Sequence, residues 1–311
     1  MITATFYEGQ GLGNQLWSWA VLTSTALNNG YEWGLQAPWR FKGKSFMNLD
    51  MGKKVIGIAS KKPSPPKIYR VNNYYHEKRL IHTDEGYDIS EFDSDLAVVR
   101  DKCKIDGNFQ SEKYISDHRE RIIRAFQLKN PDIDLTNTCV VHFRGGDYSP
   151  HSSLLLPPRY YRNSMLLLKS QFPKIRFLII TNDTKLAKTY FPKESIFSNY
   201  RDTEVYSGPD TKVDFRVALD LSLLQHAPFL ILSNSSFSWW GAWTNTKAVS
   251  VIAPKYWARH NANNGYWSTG DIITKMFRYI DFDGREWSAE DCFKELNRFK
   301  ESERYLSTRV I

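Results

Sequence analysis

The stretch Ile-Leu-Ser-Asn-Ser-Ser-Phe-Ser-Trp-Trp-Gly-Ala-Trp at residues 231–243 decides the fold prediction. An apolar segment at 229–232 runs into a cluster of hydroxyl side chains, and three tryptophans follow. This order predicts a buried parallel strand that leads into a helix. Ligands of α/β proteins bind where such strands end, and the free N–H groups of a helix N-terminus attract anions. A simpler interpretation, a serine N-cap followed by core tryptophans, stays open.

The segments around this stretch repeat the same alternation of strand and helix. Before it, the pattern predicts strands at 2–7, 31–35, 138–143 and 176–181 and helices at 16–27, 111–127, 160–170 and 213–226. After it come a strand at 249–253 and a final helix that Ser288 and Asp291 open as a capping box. Residues 36–105 are predicted to be irregular. A proline break near residue 131 indicates an α/β fold of two domains, 1–131 and 132–311.

Composition limits the class of protein. The 311 residues are 41% hydrophobic and 24% charged, as in a folded soluble protein. A net charge of +8 favours anionic partners such as nucleotide phosphates. The clearest basic segment, 61–67, is rich in proline and is predicted to be a loop. Because no basic helix or RNA-binding aromatic motif occurs, nucleic acid is not predicted as a partner.

The cysteines and the apolar segments indicate a cytoplasmic protein. Cys103, Cys139 and Cys292 have neither the spacing of a zinc site nor that of a disulfide framework. No apolar segment approaches the length of a membrane span. The chain enters its first strand at once, so we expect no signal peptide and no membrane anchor.

The first candidate motif is the glycine-rich segment at residues 9–15. Glycine lets the backbone approach a ligand, and amide side chains at a helix start can hydrogen-bond one, so we select Gly11, Gly13, Asn14 and Gln15. Asn14 stands where a dinucleotide-binding fingerprint has its third glycine. Glu32 has a suitable spacing for a ribose contact, which keeps dinucleotide binding open. A purely structural turn is the other alternative.

The second motif is His-Phe-Arg-Gly-Gly-Asp-Tyr at residues 142–148, directly after an apolar strand. Alternation places His142 and Arg144 on one face near the end of that strand. An arginine there can bind a diphosphate, and the two glycines allow phosphate oxygens to come close. A satisfied core histidine is the alternative for His142.

The third candidate is Asp220, in the helix before the hydroxyl cluster. A carboxylate can accept hydrogen bonds from both N1–H and the 2-amino group of guanine, a donor pair that no other base offers. A solvated surface carboxylate is the alternative.

Together these residues resemble the family of α-1,2-fucosyltransferases that use GDP-fucose. The resemblance rests on Gly-Leu-Gly-Asn-Gln-Leu at 11–16, on the motif at 142–148 and on the string at 233–243. Leu-Leu-Pro-Pro-Arg-Tyr-Tyr at 155–161 and Thr-Asn-Asp at 181–183 also match segments of the family. The string at 233–243 is the most specific of them.

The resemblance implies a GT-B fold, with two facing Rossmann-like domains and a cleft between them. The first domain would carry most of the acceptor site, and the second would bind GDP-fucose. Arg144 and His142 would bind the diphosphate, Asp220 would recognise guanine, and Asn14 would reach across the cleft. The remaining implied donor contacts are Asn182, Asn234, Ser235, Ser236 and Phe237.

One position departs from the family. Gly145 stands where the family has a second arginine, which removes a cation near the leaving group. We expect Lys255 or another basic residue to compensate. The departure also keeps open a related transferase that uses a different nucleotide sugar.

The implied reaction moves L-fucose from GDP-β-L-fucose to the 2-OH of a terminal galactose, with inversion to an α-1,2 linkage. No Asp-x-Asp motif follows any of the strands predicted above, so we expect a metal-independent enzyme without a cofactor. Asp147 is the first candidate for the base and Glu8 the second, while an orienting role beside Arg144 is the alternative for Asp147. The expected acceptor is a galactose-terminated glycan; a lipid-linked one would bring peripheral contact with a membrane. A catalytically inactive glycan-binding homologue is the third alternative.

Overall fold

The computed structural model describes residues 1–55, 73–82, 87–151, 154–191, 196–197, 211–257, 270–303 and 309–310. The basic segment 61–67 lies outside these residues. Within them, none of the helices combines the length and the apolar character that crossing a bilayer requires.

The first part of the chain builds a parallel sheet of four strands. Its elements are β1 (Ile2–Thr5), α1 (Leu12–Asn29), β2 (Trp33–Gln36), β3 (Asn73–His76), β4 (Arg79–His82), β5 (Tyr87–Ser90), β6 (Cys103–Asp106) and α2 (Arg119–Phe126). The strand order is β2-β1-β6-β3, and every pair in it is parallel. Strands β4 and β5 form a separate antiparallel pair.

The second part builds a sheet of seven strands. Its elements are β7 (Thr138–Phe143), α3 (Pro158–Gln171), β8 (Arg176–Thr181), α4 (Thr184–Tyr190), β9 (Ile196–Phe197), α5 (Thr211–His226), β10 (Phe229–Ile231), α6 (Ser236–Trp243), β11 (Ser250–Pro254), β12 (Arg278–Ile280), β13 (Glu286–Trp287) and α7 (Ala289–Lys300). The order is β13-β12-β11-β10-β7-β8-β9, parallel except for the β12–β13 pair. A last strand, β14 (Arg309–Val310), pairs with β4.

The two sheet units meet where α1 packs against α6. The Trp17 ring lies 4.4 Å from the Trp239 ring and 4.5 Å from the Trp240 ring, measured between centroids. The Trp240 indole N–H donates to the Gly13 carbonyl at 3.0 Å. All three tryptophans of α6 are buried, so they are packing residues of this junction.

The predicted fold class, α/β with two Rossmann-like units of the GT-B type, is confirmed by the two parallel sheets. The predicted strands and helices of the second half are observed with end shifts of one or two residues, and the capping box at Ser288 and Asp291 is present. The boundary between residues 131 and 132 falls in the connection from α2 to β7 and stays a prediction.

Three predictions about the first half were wrong. Residues 36–105, predicted to be irregular, contain β3, β4, β5 and most of β6; these strands are short and lack a long apolar run. The helix predicted at 111–127 is limited to α2, with 3₁₀ turns before it. The segment 12–15, assigned to a glycine-rich turn, is the first turn of α1.

Glu32 precedes β2, at the opposite end of the strand from the glycine-rich segment. The acidic residue of a dinucleotide site lies at the carboxyl end of that strand, beside the ligand. The position of Glu32 therefore removes the support for dinucleotide binding.

Candidate active site

The end of β7 places His142 beside the hydroxyl cluster. The imidazole is buried, and its Nδ1 lies 2.8 Å from the Ser233 hydroxyl. Burial, with a smaller effect from the charge of Arg144, lowers the pKa of His142 to about 3. The imidazole is therefore neutral at physiological pH, and its chemistry here is hydrogen bonding.

Arg144 follows His142 and supplies the positive charge. One terminal nitrogen of its guanidinium donates to one Asp147 carboxylate oxygen at 2.9 Å and lies 2.8 Å from the other. The guanidinium lies 5.4 Å from the centre of the Tyr148 ring. Its Nε is buried and has no hydrogen-bond partner within the described part of the chain. Asp147 thus orients Arg144, which is the alternative role that the sequence left open.

Two residues at the end of β8 hold the loop after Arg144. Asn182 accepts from the Gly145 N–H at 3.0 Å and donates to Asp147 at 3.3 Å. Asp183 accepts from the Gly146 N–H at 3.0 Å, and the same oxygen accepts from the Ser149 hydroxyl at 3.1 Å. Asn182 therefore lies in the predicted site, and its amide also fixes the loop.

The hydroxyl cluster surrounds the N-terminus of α6. Ser235 is the N-cap residue, but its side chain makes no capping hydrogen bond. The Asn234 side-chain amide donates to the Leu154 carbonyl at 2.9 Å, while its side-chain oxygen is buried and unpaired among the described residues. Ser238 turns inward and donates to the Ser235 carbonyl at 3.1 Å. The first N–H groups of α6 thus have no side-chain acceptor from their own N-cap residue.

A second helix N-terminus meets the first. The Asn14 side-chain oxygen accepts from the Ser236 hydroxyl at 2.8 Å and from Gln110 at 3.1 Å. A Cβ on Gly13 would lie 2.5 Å from the Phe237 nitrogen. Neither α1 nor α6 has an acidic residue in its first turn. Two positive helix ends therefore converge, and the first turn of neither helix carries a carboxylate.

Gly11 and Gln15 lie on either side of this contact. Gly11 is the N-cap of α1, and an added Cβ there would touch nothing within 4 Å. Gln15 is buried, donates to the Arg40 carbonyl at 2.9 Å and accepts from the Lys42 N–H at 2.8 Å. The Gln15 amide thus holds the loop after β2.

Asp220 is buried in α5, and one of its carboxylate oxygens has no hydrogen-bond partner in the described structure. Burial raises the pKa of Asp220 well above its usual range, and the charge of Arg216 opposes this effect. An unpaired buried carboxyl is costly unless it is neutral or finds a donor, so Asp220 has hydrogen-bonding capacity for a ligand.

These contacts bring most of the selected residues to the ends of β7, β8 and β10 and the starts of α1 and α6. A model of the family described as glycosyl transferase family 11 matches residues 5–271 of the chain. The chain belongs to glycosyltransferase family 11.

Two curated relatives of this chain are also glycosyltransferases. The alpha-1,2-colitosyltransferase of Escherichia coli is 31% identical over 175 residues, which are 51% of this chain and 58% of that protein. The O-antigen biosynthesis glycosyltransferase WbnK of Escherichia coli is 28% identical over 173 residues, 49% of this chain and 54% of WbnK. The match thus spans little more than half the length of these relatives.

Among solved structures, the fucosyltransferase NodZ from Bradyrhizobium aligns with a TM-score of 0.38 and 13% identity. The alignment covers 81% of this chain and 94% of NodZ.

Gly145 occupies the position where, as noted above, the family has a second arginine. A Cβ at this position would lie 2.6 Å from the Asp183 Cβ. The expected compensation by Lys255 does not fit the structure, because its ammonium group is buried, pairs with Glu295 at 2.6 Å and lies 3.1 Å from the centre of the Trp287 ring. Asp183 thus takes up the space beside Gly145, and Arg144 stands without a second cation from Lys255.

Sequence reasoning missed several residues that shape this site. Ser233, Gln110, Tyr148 and Asp183 were not selected, although each makes one of the contacts above or supports it. The Asn-Asp pair directly after β8 was the available signal, because it lies at the carboxyl edge of the sheet. Gln110 lies in a segment, 106–111, that also resembles the family, but its contact with Asn14 depends on the approach of α1.

Proposed function

We propose that this family 11 chain transfers L-fucose from GDP-β-L-fucose to the 2-OH of a terminal galactose, forming an α-1,2 linkage with inversion. The observation that carries the proposal is the convergence of Arg144 with two helix N-termini that lack acidic residues. That arrangement fits the diphosphate of a nucleotide sugar.

In this proposal the 132–311 domain binds the donor. Arg144 pairs with the β-phosphate, and the first N–H groups of α6 at Ser236 and Phe237 bind phosphate oxygens. Neutral His142 donates one hydrogen bond, while Ser233 fixes its ring. Asn14 approaches the donor from the other unit, which carries most of the acceptor site. Asn182, Asn234 and Ser235 complete the donor site.

The proposed reaction is a single displacement. As the bond between fucose C1 and the phosphate oxygen breaks, negative charge grows on the β-phosphate. Fixed donors aimed at that charge stabilise the transition state, and removing one typically costs about 3–4 kcal/mol. Arg144 is the main donor because Asp147 already holds it in place. We assign Asp147 this orienting role, and Glu8 remains the candidate base.

Asp220 is proposed to bind guanine. Its unpaired oxygen has the acceptor capacity that the N1–H and 2-amino groups need. Deprotonated Asp220 would pair with both donors at once, which distinguishes GDP from UDP.

The proposed enzyme needs no metal ion and no cofactor, since Arg144 and the helix ends supply the positive potential. We place it in the cytoplasm, with peripheral membrane contact where its galactose-terminated acceptor is lipid-linked.

A second donor has support from one relative, the colitosyltransferase. Colitose is L-fucose without the 3-hydroxyl group, so the same diphosphate and guanine contacts would serve either donor. The two alternatives differ only in whether the site requires that hydroxyl.

The test is a transfer assay with lactose, EDTA and one donor at a time: GDP-fucose, GDP-colitose or UDP-galactose. We expect fucosyllactose from GDP-fucose with EDTA present, and no product from UDP-galactose. Product from GDP-colitose alone would favour the second donor. Transfer that EDTA abolishes and magnesium restores would contradict metal independence.

Arg144→Ala should lower kcat by about 100- to 1000-fold and leave the melting temperature within a few degrees of wild type, because Arg144 is a partly exposed loop residue. Arg176→Ala, at the opposite end of the neighbouring strand β8, is the control and should keep its activity. Near-normal turnover by Arg144→Ala would refute its role.

A further inference from the structure

The open face of the four-stranded sheet carries a cluster of polar and aromatic side chains that the donor site does not use. The register places Tyr74 opposite Lys104 and His76 opposite Asp106, so these four side chains share one face. The alternate residues of β6, Cys103 and Ile105, are buried in the core on the other face.

The members of this cluster contact one another. Tyr74 donates to the Asp106 carboxylate at 2.8 Å, and Lys104 donates to the Tyr7 hydroxyl at 3.1 Å. The Lys104 ammonium also lies 5.1 Å from the centre of the Tyr74 ring. Burial and the nearby Asp106 raise the pKa of Tyr7, so its hydroxyl stays protonated and can donate.

Both tyrosines nevertheless remain accessible. Tyr7 is 39% exposed and Tyr74 is 49% exposed, which is unusual for large aromatic side chains that are held in place by hydrogen bonds. Fixed aromatic rings next to a carboxylate are the features that a sugar ring requires: an apolar surface for its C–H groups and an acceptor for its hydroxyls.

The cluster is rigidly connected to the candidate active site. Buried Glu77 accepts from the backbone N–H groups of Asn108 and Phe109, at 2.7 Å and 2.9 Å, and so fixes the loop after β6. That loop ends at Gln110, which donates to Asn14. Asn14 in turn contacts Ser236 at the start of α6. The loop that begins at Asp106 therefore runs to the residues around the proposed donor diphosphate.

We propose that Tyr7, Tyr74 and Asp106 form an acceptor subsite that binds a neutral hexose ring of the acceptor glycan. This inference rests on the proposed function and assigns residues to its second substrate. The Tyr74 and Tyr7 rings contact the C–H face of the sugar, and the Asp106 carboxylate accepts from its hydroxyl groups. Lys104 and Asp106 bring one charge of each sign to this cluster, so the subsite favours an uncharged sugar over an acidic one.

The test compares variants by their KM for acceptor, with lactose and N-acetyllactosamine as probes. Asp106→Asn should raise this KM about ten- to a hundredfold, because it removes a charged acceptor of hydrogen bonds. Tyr74→Ala should raise it about tenfold, and Tyr74→Phe, which keeps the ring, should raise it less. The KM for donor and the GDP affinity should stay within about twofold of wild type, which a general loss of structure would not allow.

The matched controls lie outside the subsite. Glu32→Gln changes a carboxylate at the opposite end of the same sheet, and Leu27→Ala removes an exposed apolar side chain near the end of α1. Neither should change the KM for acceptor.

Binding of the two probes to GDP-loaded protein, measured by saturation-transfer NMR, separates this proposal from the proposed function. Transfer by the wild type with unchanged KM in Asp106→Asn and Tyr74→Ala would overturn the subsite and leave the function standing. Probe binding that Asp106→Asn abolishes, without transfer from GDP-fucose, would support the subsite and count against the function. Failure of the wild type to bind either probe would overturn the subsite.

Discussion

At the scale of single residues, burial decides which charges this site can use. His142 and Asp220 are both ionisable and both buried, and burial favours the neutral form of each: it lowers the pKa of His142 and raises the pKa of Asp220. Arg144 remains charged and is only partly exposed. Among the residues that the structure describes, the candidate site takes its positive charge from Arg144 and from backbone dipoles.

Asp220 should link GDP binding to pH. Its pKa is raised in the free protein, while guanine requires the carboxylate, so binding should release a proton. We expect GDP affinity to fall as the pH falls below the pKa that Asp220 has in the free protein. Calorimetry in buffers of different ionisation enthalpy measures this release.

Asp220→Asn should lose both the proton release and the preference for GDP over UDP. Because it also removes a buried carboxyl with a raised pKa, it should increase the free energy of unfolding at pH 8 by about 1 kcal/mol or more, and less at pH 4. Asp132→Asn, which changes an exposed carboxyl, is the control. Full GDP preference in Asp220→Asn would refute the guanine assignment.

His142 should make the fold sensitive to acid. Its pKa is about 3 in the folded chain and near 6.5 in an unfolded one, so between these values only the unfolded chain binds the proton. Above pH 6.5 neutral His142 does not reduce the free energy of unfolding. Below pH 6.5 this free energy falls by up to about 1.4 kcal/mol per pH unit. Urea unfolding should show that wild type loses about 2 kcal/mol more than His142→Asn between pH 6.5 and pH 5. An equal loss in both proteins would contradict a buried neutral His142.

At the scale of elements, the sequence predicted those strands whose side chains are buried on both faces. The runs that form β7, β8 and β10 are almost entirely apolar, and the proposed donor site lies at their ends. β3 was not predicted, because its sequence Asn-Tyr-Tyr-His is mostly exposed and forms a strand only by pairing with β6. Tyr74 and His76 are acceptor candidates from the sequence alone, as polar and aromatic residues of this region. The sequence does not show that pairing with β6 places Tyr74 beside Asp106.

The contact between α1 and α6 depends on Gly13. An added Cβ would approach backbone atoms of Ser236 and Phe237 at 2.5–2.6 Å, and neither helix can move without disturbing the tryptophans between them. Gly13→Ala should therefore destabilise the protein by about 1–3 kcal/mol and reduce turnover. Gly11→Ala, where the added methyl group meets nothing, is the matched control. Equal melting temperatures for the two variants would contradict this packing role.

At the scale of the whole molecule, the site exists because segments distant in sequence come together. Gly13 and Trp240 are 227 positions apart, yet one hydrogen bond joins them. Composition and periodicity report local structure, so they indicated two α/β units and the residues at their strand ends. They could not indicate that Gln110 would contact Asn14, or that Lys255 would pair with Glu295 on α7.

The measurement that tests the central claim most directly is a crystal structure of the protein with GDP. We predict the β-phosphate within hydrogen-bonding distance of Arg144 and of the first N–H groups of α6, with guanine paired to Asp220. GDP bound away from the ends of β7 and β10, or with its phosphates remote from Arg144, would contradict the claim.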